Sequence, residues 1–265
     1  MKINVWGGSG FLGSHIADAF STAGHDVTII DKNESKWLKP GQEFMKGDLL
    51  DTDFINHTTK NTDYVFNLAG ISDIDEASKD PKLSAMTNII GNINLLEAIK
   101  NYKTKRYIFA STLYVYSNSG GFYRCSKQAC ENYISEYNNK FNINYTILRF
   151  GSLYGPRSNN KNAIYRFLKE ALNEKQISYF GSKDALREYV HVKDAADICL
   201  NLLDEKFVNK NLIITGSQSL RVGDLFKMIQ EIIGTKLKFV FDVGENPSHY
   251  EITPYNFTPK PGKKI

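Results

Sequence analysis

Three evenly spaced glycines near the start of the chain restrict the fold more than any other feature. The segment Gly7-Gly8-Ser9-Gly10-Phe11-Leu12-Gly13 separates an apolar run, Ile3–Trp6, from a stretch of helical spacing, Gly13–Ala23, with Ile16, Ala19 and Phe20 on one face. In a strand–turn–helix unit, one glycine of GxxGxxG permits the tight turn, one lets the backbone approach a pyrophosphate, and one lets helix pack on strand. Backbone N–H groups at the start of the helix then face the anion. A second strand, Val27–Ile30, ends in Asp31, 18 residues after Gly13. A carboxylate there accepts hydrogen bonds from a ribose diol and repels a 2′-phosphate, which favours NAD over NADP; Lys32 weakens that preference slightly.

Further strand-like runs follow at Tyr64–Leu68, Arg106–Ala110 and Tyr145–Phe150, separated by helical stretches at Met86–Lys100 and Ser126–Lys140. Val- and Ile-rich runs alternating with helices predict an α/β fold, a Rossmann-type doubly wound parallel sheet. After Gly155-Pro156 the alternation becomes irregular. A helix is expected over 161–174 and another over Val222–Ile233, with short strands near Ile177–Phe180, Glu188–Val192, Leu212–Thr215 and Leu237–Phe241. The expected organisation is a dinucleotide-binding domain over 1–155 and a small substrate-binding lobe over 156–265, with one late strand returning to the main sheet.

The 33 Lys and Arg stand against 29 Asp and Glu, giving a net charge of +4 with the basic residues scattered, which argues against a nucleic-acid partner. The locally basic end, Lys260-Pro261-Gly262-Lys263-Lys264, reads as a solvated tail. No apolar run reaches the ~20 residues of a membrane span, and Met1 leads directly into a strand, so neither an anchor nor a signal peptide is expected. Cys125, Cys130 and Cys199 suit buried small side chains in a reducing cytoplasm, and they have no metal-ligand spacing with histidines, so no metal is expected.

Tyr123 and Lys127 stand four residues apart, on one face of a helix. A nearby ammonium and a cationic nicotinamide both favour a phenolate. Bringing a free tyrosine to a pKa near 7 takes roughly 4 kcal/mol. Such a tyrosine could take a proton from a substrate hydroxyl as hydride leaves. The strand end before it, Ala110-Ser111-Thr112, supplies Thr112 or Ser111 to bond the same oxygen.

Together these motifs resemble the extended short-chain dehydrogenase/reductase family, in its NAD-dependent epimerase/dehydratase branch acting on nucleotide sugars. The likeness runs from residue 1 to about residue 200. It includes the glycine turn with Gly7, Gly10, Phe11, Leu12 and Gly13. It continues through Gly47-Asp48-Leu49 near the adenine, Asn67-Leu68-Ala69-Gly70 beside the cofactor, and Asn88-Ile89-Ile90-Gly91-Asn92. Val115-Tyr116, Leu148-Arg149-Phe150 through Tyr154-Gly155-Pro156-Arg157, and Arg187 through Asp194 complete it. The resemblance implies Thr112, Tyr123 and Lys127 as catalytic residues. It implies Asp31, Lys32, Asp48, Leu49, Leu68, Ala69, Gly70, Lys127 and Phe150 as cofactor contacts. It implies Ser111, Ser152 and Arg187 as substrate contacts, with the Arg187 guanidinium matching a diphosphate. His191 is expected to hold backbone rather than to catalyse. A homodimer is implied through helices 86–100 and 126–140, whose apolar stripes could equally cover their own sheet.

This chain departs from the family pattern in places. Only 11 positions separate Thr112 from Tyr123, a segment that is longer in the family and lines the sugar pocket. Ser117 follows Val115-Tyr116 where glycine is usual, Trp6 replaces Thr, and Ser152 replaces Asn. A dehydratase carries an acid and a base after the threonine, whereas Leu113 and Tyr114 stand here. The preferred activity is C4 epimerisation of a nucleotide sugar with retained NAD. The alternative is an NAD(P)H-dependent 4-ketoreductase, ahead of a dehydratase or a non-catalytic cofactor-binding sensor.

Overall fold

The computed structural model describes residues 1–102, 104–242 and 249–255, so the basic C-terminal segment lies outside the described residues. Its first half runs β1 (Lys2–Trp6), α1 (Phe11–Thr22), β2 (Asp26–Asp31), β3 (Gln42–Lys46), α2 (Thr52–Thr59), β4 (Tyr64–Asn67), α3 (Ile74–Lys79), α4 (Pro81–Ala85), α5 (Gly91–Asn101), β5 (Arg106–Thr112), α6 (Gly121–Phe141) and β6 (Tyr145–Phe150). The second half runs β7 (Ser152–Tyr154), α7 (Ala163–Glu174), β8 (Gln176–Phe180), β9 (Leu186–His191), α8 (Val192–Asn201), β10 (Lys210–Ile214), β11 (Ser219–Arg221), α9 (Val222–Ile233) and β12 (Lys238–Asp242).

Seven strands form one sheet in the order β10-β6-β5-β4-β1-β2-β3, and every pairing is parallel. The α/β doubly wound fold expected from the alternation is therefore the fold observed. Side chains alternate between two cores, as the period of two along a strand requires. Ile3, Val5, Tyr64, Phe66 and Ile108 pack with Ile16 and Phe20 of α1. Trp6, Val65, Tyr107 and Phe109 pack on the other face with Leu96 of α5 and Ile134 of α6. The stripe Leu96 and Ile99 is thus buried against its own sheet, while Met86 and Ile90 beside it stay exposed.

Strand order reverses at β1, between β2 and β4, and a crevice opens beyond the carboxyl ends of the strands at such a point. A smaller assembly flanks it, with sheets β11-β9-β7 and β12-β8 packed with α7 and α9 around Phe167 and Phe226.

Several elements were not expected from the sequence, among them β3, α2, β7 and α8. The edge strand β3 has only Phe44 and Met45 as apolar residues, and α2 is mostly polar, started by Asp51 accepting from Phe54 N–H at 3.0 Å. β7 is three residues long, and α8 begins where a strand was expected to end. His191 caps α8 through Nδ1, which accepts from Lys193 N–H, in keeping with a backbone-holding role. Of the cysteines, Cys130 and Cys199 are buried but Cys125 is exposed, which corrects the reading of all three as buried.

Candidate active site

The glycine turn closes as its spacing demands. Gly7 sits at φ +77°, where a Cβ would lie 2.6 Å from Ala69 N, so the turn can press against the end of β4 only with glycine here. At Gly13 a Cβ would stand 2.2 Å from the Gly7 carbonyl oxygen, so α1 can pack this close to the turn only with glycine there. Gly10 is the N-cap of α1 and brings no side-chain cap, leaving the first N–H groups of the helix free for an anion.

A cleft of about 640 Å³ opens above this turn. Gly7, Gly10, Phe11, Leu12 and Gly13 line it together with Asp31, Lys32 and Leu49. Leu68, Ala69, Gly70 and Phe150 line its far side, with Ser111, Thr112, Tyr123 and Lys127. Three of the expected contacts lie outside this lining: Asp48, Ser152 and Arg187. Asp48 instead pairs with Lys32 at 3.0 Å, so the two charges at the adenine end offset each other.

The Asp31 carboxylate is oriented by two backbone donors, Ser9 N–H to Oδ2 at 3.2 Å and Asn33 N–H to Oδ1 at 3.1 Å. Its remaining lone pairs are available to a diol. Replacing Asp31 by Ala is expected to weaken NAD binding by about 10- to 100-fold, the worth of a charged hydrogen bond, and to narrow the preference over NADP. Titration calorimetry with both dinucleotides checks it.

The floor beside Ala69 is locked by a buried chain of polar groups. Asn67 Nδ2 donates to the Tyr107 hydroxyl and that hydroxyl donates to Asn92 Oδ1, each at 2.7 Å. A π turn at Met86–Ile90 presents Asn88, which accepts from Ile71 N–H at 2.7 Å and donates both to the Ile71 carbonyl and to Ser126. Neither network was visible in the sequence beyond the bare presence of Asn in both motifs.

Tyr123 and Lys127 lie one turn apart on α6, which starts five residues before the expected Ser126. Lys127 is buried. Its Nζ donates to the Ala110 carbonyl at 2.7 Å and stands 4.6 Å from the Phe109 ring centre and 5.9 Å from that of Tyr123. Burial holds its pKa below the usual lysine range, opposed by the nearby Cys130 and Glu131. The Tyr123 hydroxyl meets Thr112, and burial pushes the phenol up to about 12 against that hydrogen bond. Without a cofactor the proton therefore stays on Tyr123 across the physiological range.

Behind the triad lies an ion pair. Glu131, one further turn along α6, accepts from Arg149 Nε at 3.0 Å and from Arg149 Nη2, and it accepts the Ser111 hydroxyl as well. Arg149 Nη1 donates to the Tyr116 hydroxyl, and its guanidinium covers the Tyr116 ring at 4.7 Å. Ser111 thus lines the cleft with its hydroxyl given to Glu131.

The remaining substrate candidates gather on the lobe side. Arg187 Nη2 donates to the Tyr179 hydroxyl at 2.9 Å, and Nη1 to the Leu186 carbonyl at 2.7 Å. Tyr250 covers the guanidinium at 4.5 Å and its hydroxyl meets Ser152. Tyr114 joins the same group, its ring 6.3 Å from Tyr123 and 4.8 Å from Tyr250, its hydroxyl bonded to His249 Nδ1.

The profile of the NAD dependent epimerase/dehydratase family matches residues 3–214. The chain belongs to that family. Its cofactor is NAD, and the uncapped helix start, the oriented Asp31 and the cleft above the glycine turn all fit that dinucleotide. A UDP-N-acetyl-alpha-D-glucosaminuronate decarboxylase of Bacillus cytotoxicus is 27% identical over 98% of this chain and 87% of its own. The structure of a Thermotoga maritima UDP-glucose 4-epimerase with UDP-glucose superposes with a TM-score of 0.88 at 26% identity, covering 97% of this chain and 90% of that one. A Bacillus cereus UDP-glucuronic acid 4-epimerase in complex with UDP-glucuronic acid and NAD gives 0.88 at 26% identity, covering 96% and 89%. The family and the relatives named here are thus nucleotide-sugar enzymes, among them epimerases and a decarboxylase. Among the described residues no helix is long and apolar enough to cross a membrane, and no cluster of His, Cys, Asp and Glu could hold a metal ion.

Proposed function

We propose that this protein is an NAD-dependent nucleotide-sugar epimerase that inverts C4 of a UDP-sugar through transient oxidation. The observation carrying this reading is that Thr112, Tyr123 and Lys127 line the dinucleotide cleft together, with Lys127 Nζ 5.9 Å from the centre of the Tyr123 ring. Thr112 orients the C4 hydroxyl. Tyr123 accepts its proton and returns it after the ketone has turned its other face. Lys127, fixed on the Ala110 carbonyl, keeps a positive charge beside the phenol. When bound, NAD supplies the hydride acceptor and a second positive charge that favours the phenolate. Moving the phenol from about 12 to near neutrality requires about 7 kcal/mol of differential stabilisation, more than for a free tyrosine, and the bound cofactor's charge is one contributor to it.

Leu113 and Tyr114 follow Thr112, so no carboxylate stands there to eliminate water, which argues against a dehydratase. The test is incubation with UDP-glucose, UDP-N-acetylglucosamine and UDP-glucuronic acid, followed by NMR of the products. The expected result is an equilibrium mixture of C4 epimers from one of them without net consumption of cofactor. Release of carbon dioxide from the uronic acid, accumulation of a 4-keto sugar, or stoichiometric oxidation of added NADH by such a ketone would each overturn it.

A further inference from the structure

Among the described residues, Arg187 is a buried cation without an anion. Arg106, Arg149 and Arg157 are well covered too, and each meets a carboxylate, at Glu205, Glu131 and Asp18. Arg187 is 7% exposed, and its partners are neutral. Nη1 donates to the Leu186 carbonyl at 2.7 Å and reaches the Glu251 carbonyl at 3.5 Å, and Nη2 donates to the Tyr179 hydroxyl at 2.9 Å. The adjacent carboxylate, Glu188, is engaged elsewhere, accepting the Ser219 hydroxyl at 2.9 Å. Burying a guanidinium is costly unless an anion reaches it. The charge of Arg187 therefore calls for an anion brought by a ligand.

The Tyr250 ring lies over the guanidinium at 4.5 Å. Tyr250 is itself fixed. It is 8% exposed, the Tyr114 ring packs on it at 4.8 Å, and the next residue, Glu251, accepts from Leu186 N–H at 2.7 Å. A stacked ring covers the face of a guanidinium, whereas the hydrogen bonds that capture a phosphate run in its plane. Nε–H and the second N–H of Nη2 have no acceptor among the described residues. Resting on the nucleotide-sugar reading of this site, we propose that Tyr250 is a positioning residue for the ligand's diphosphate, acting through Arg187. Its π face steadies the cation and fixes the guanidinium plane without using the donors that face a phosphate. A long, flexible side chain is then ordered before the ligand arrives.

The test is calorimetric titration of the NAD-loaded full chain with UDP and with UDP-glucose. Tyr250→Ala, and Tyr250→Leu, which keeps bulk but has no π face, are expected to weaken both ligands by about 10-fold, since both carry the diphosphate. Tyr250→Phe keeps the stack and is expected to bind within about 3-fold of the wild type. Arg187→Ala is expected to weaken both ligands by about 100-fold, and adding Tyr250→Leu to it to change affinity by less than about 2-fold more. A merely structural role for Tyr250 would weaken binding equally on both backgrounds. The contrast of leucine with phenylalanine carries the test if the alanine variant does not fold. If Arg187→Ala weakens both ligands but Tyr250→Leu binds like the wild type, or loses as much on the Arg187→Ala background, the positioning role is wrong and the nucleotide-sugar reading stands. If Arg187→Ala binds as tightly as the wild type, the proposal falls alone. If the wild type binds neither ligand, both fall together.

Discussion

Tyr123→Phe is expected to lower turnover by about 10²- to 10⁴-fold while leaving NAD binding within a few-fold of the wild type. The substitution removes only the oxygen that meets Thr112, and the ring keeps its place against Tyr114. A group that moves a proton in the transition state affects turnover far more than affinity, so the loss belongs in kcat rather than in KM for the sugar. Single-turnover absorbance of the bound dinucleotide, followed after adding the active UDP-sugar, isolates the step. Unchanged turnover in this variant would transfer the acid–base role elsewhere and remove the ground for an epimerase.

Glu131→Ala is expected to cost about 3–5 kcal/mol of stability, because it leaves the Arg149 guanidinium buried without its anion. The pair is well covered, with side-chain exposures of 14% for Arg149 and 11% for Glu131. For a chain of this size the loss corresponds to a fall in melting temperature on the order of 10 °C. Replacing both partners together, Glu131→Met with Arg149→Leu, should recover most of it, since no charge is then stranded. Calorimetric melting of the wild type and the two variants tests this. A single variant as stable as the wild type would mean that water reaches the guanidinium and that the pair does not tie α6 to the ends of β5 and β6.

The parallel sheet was legible because its strands are continuous apolar runs. Tyr145–Phe150 and the helix Val222–Ile233 have the same bounds in sequence and structure. The glycine turn and the Tyr123–Lys127 pair were legible because their spacing is local. Elements that owe their form to tertiary contacts were not. The helix expected to start at Ser126 starts at Gly121, with Gly120 at φ +93° as the N-cap of α6. Tyr114 and His249 bond across 135 positions, and Tyr250 reaches Arg187 from a stretch beyond the last expected strand, Leu237–Phe241. No period or motif announces such pairs. The Tyr123–Lys127 pair was legible, but the depth at which both are buried was not, and it is the burial of Tyr123 itself that makes the phenol resist ionisation.

The order of strands also dictates when the sheet can be completed during synthesis. β6 ends at Phe150, yet its outer neighbour β10 is encoded only at residues 210–214. At ~5–20 residues per second the ribosome needs several seconds to make that stretch, during which β6 presents an open row of amides and carbonyls. Nascent chains stalled or truncated before residue 210 should therefore self-associate through this edge and depend on a holdase, whereas chains that extend past residue 214 should not.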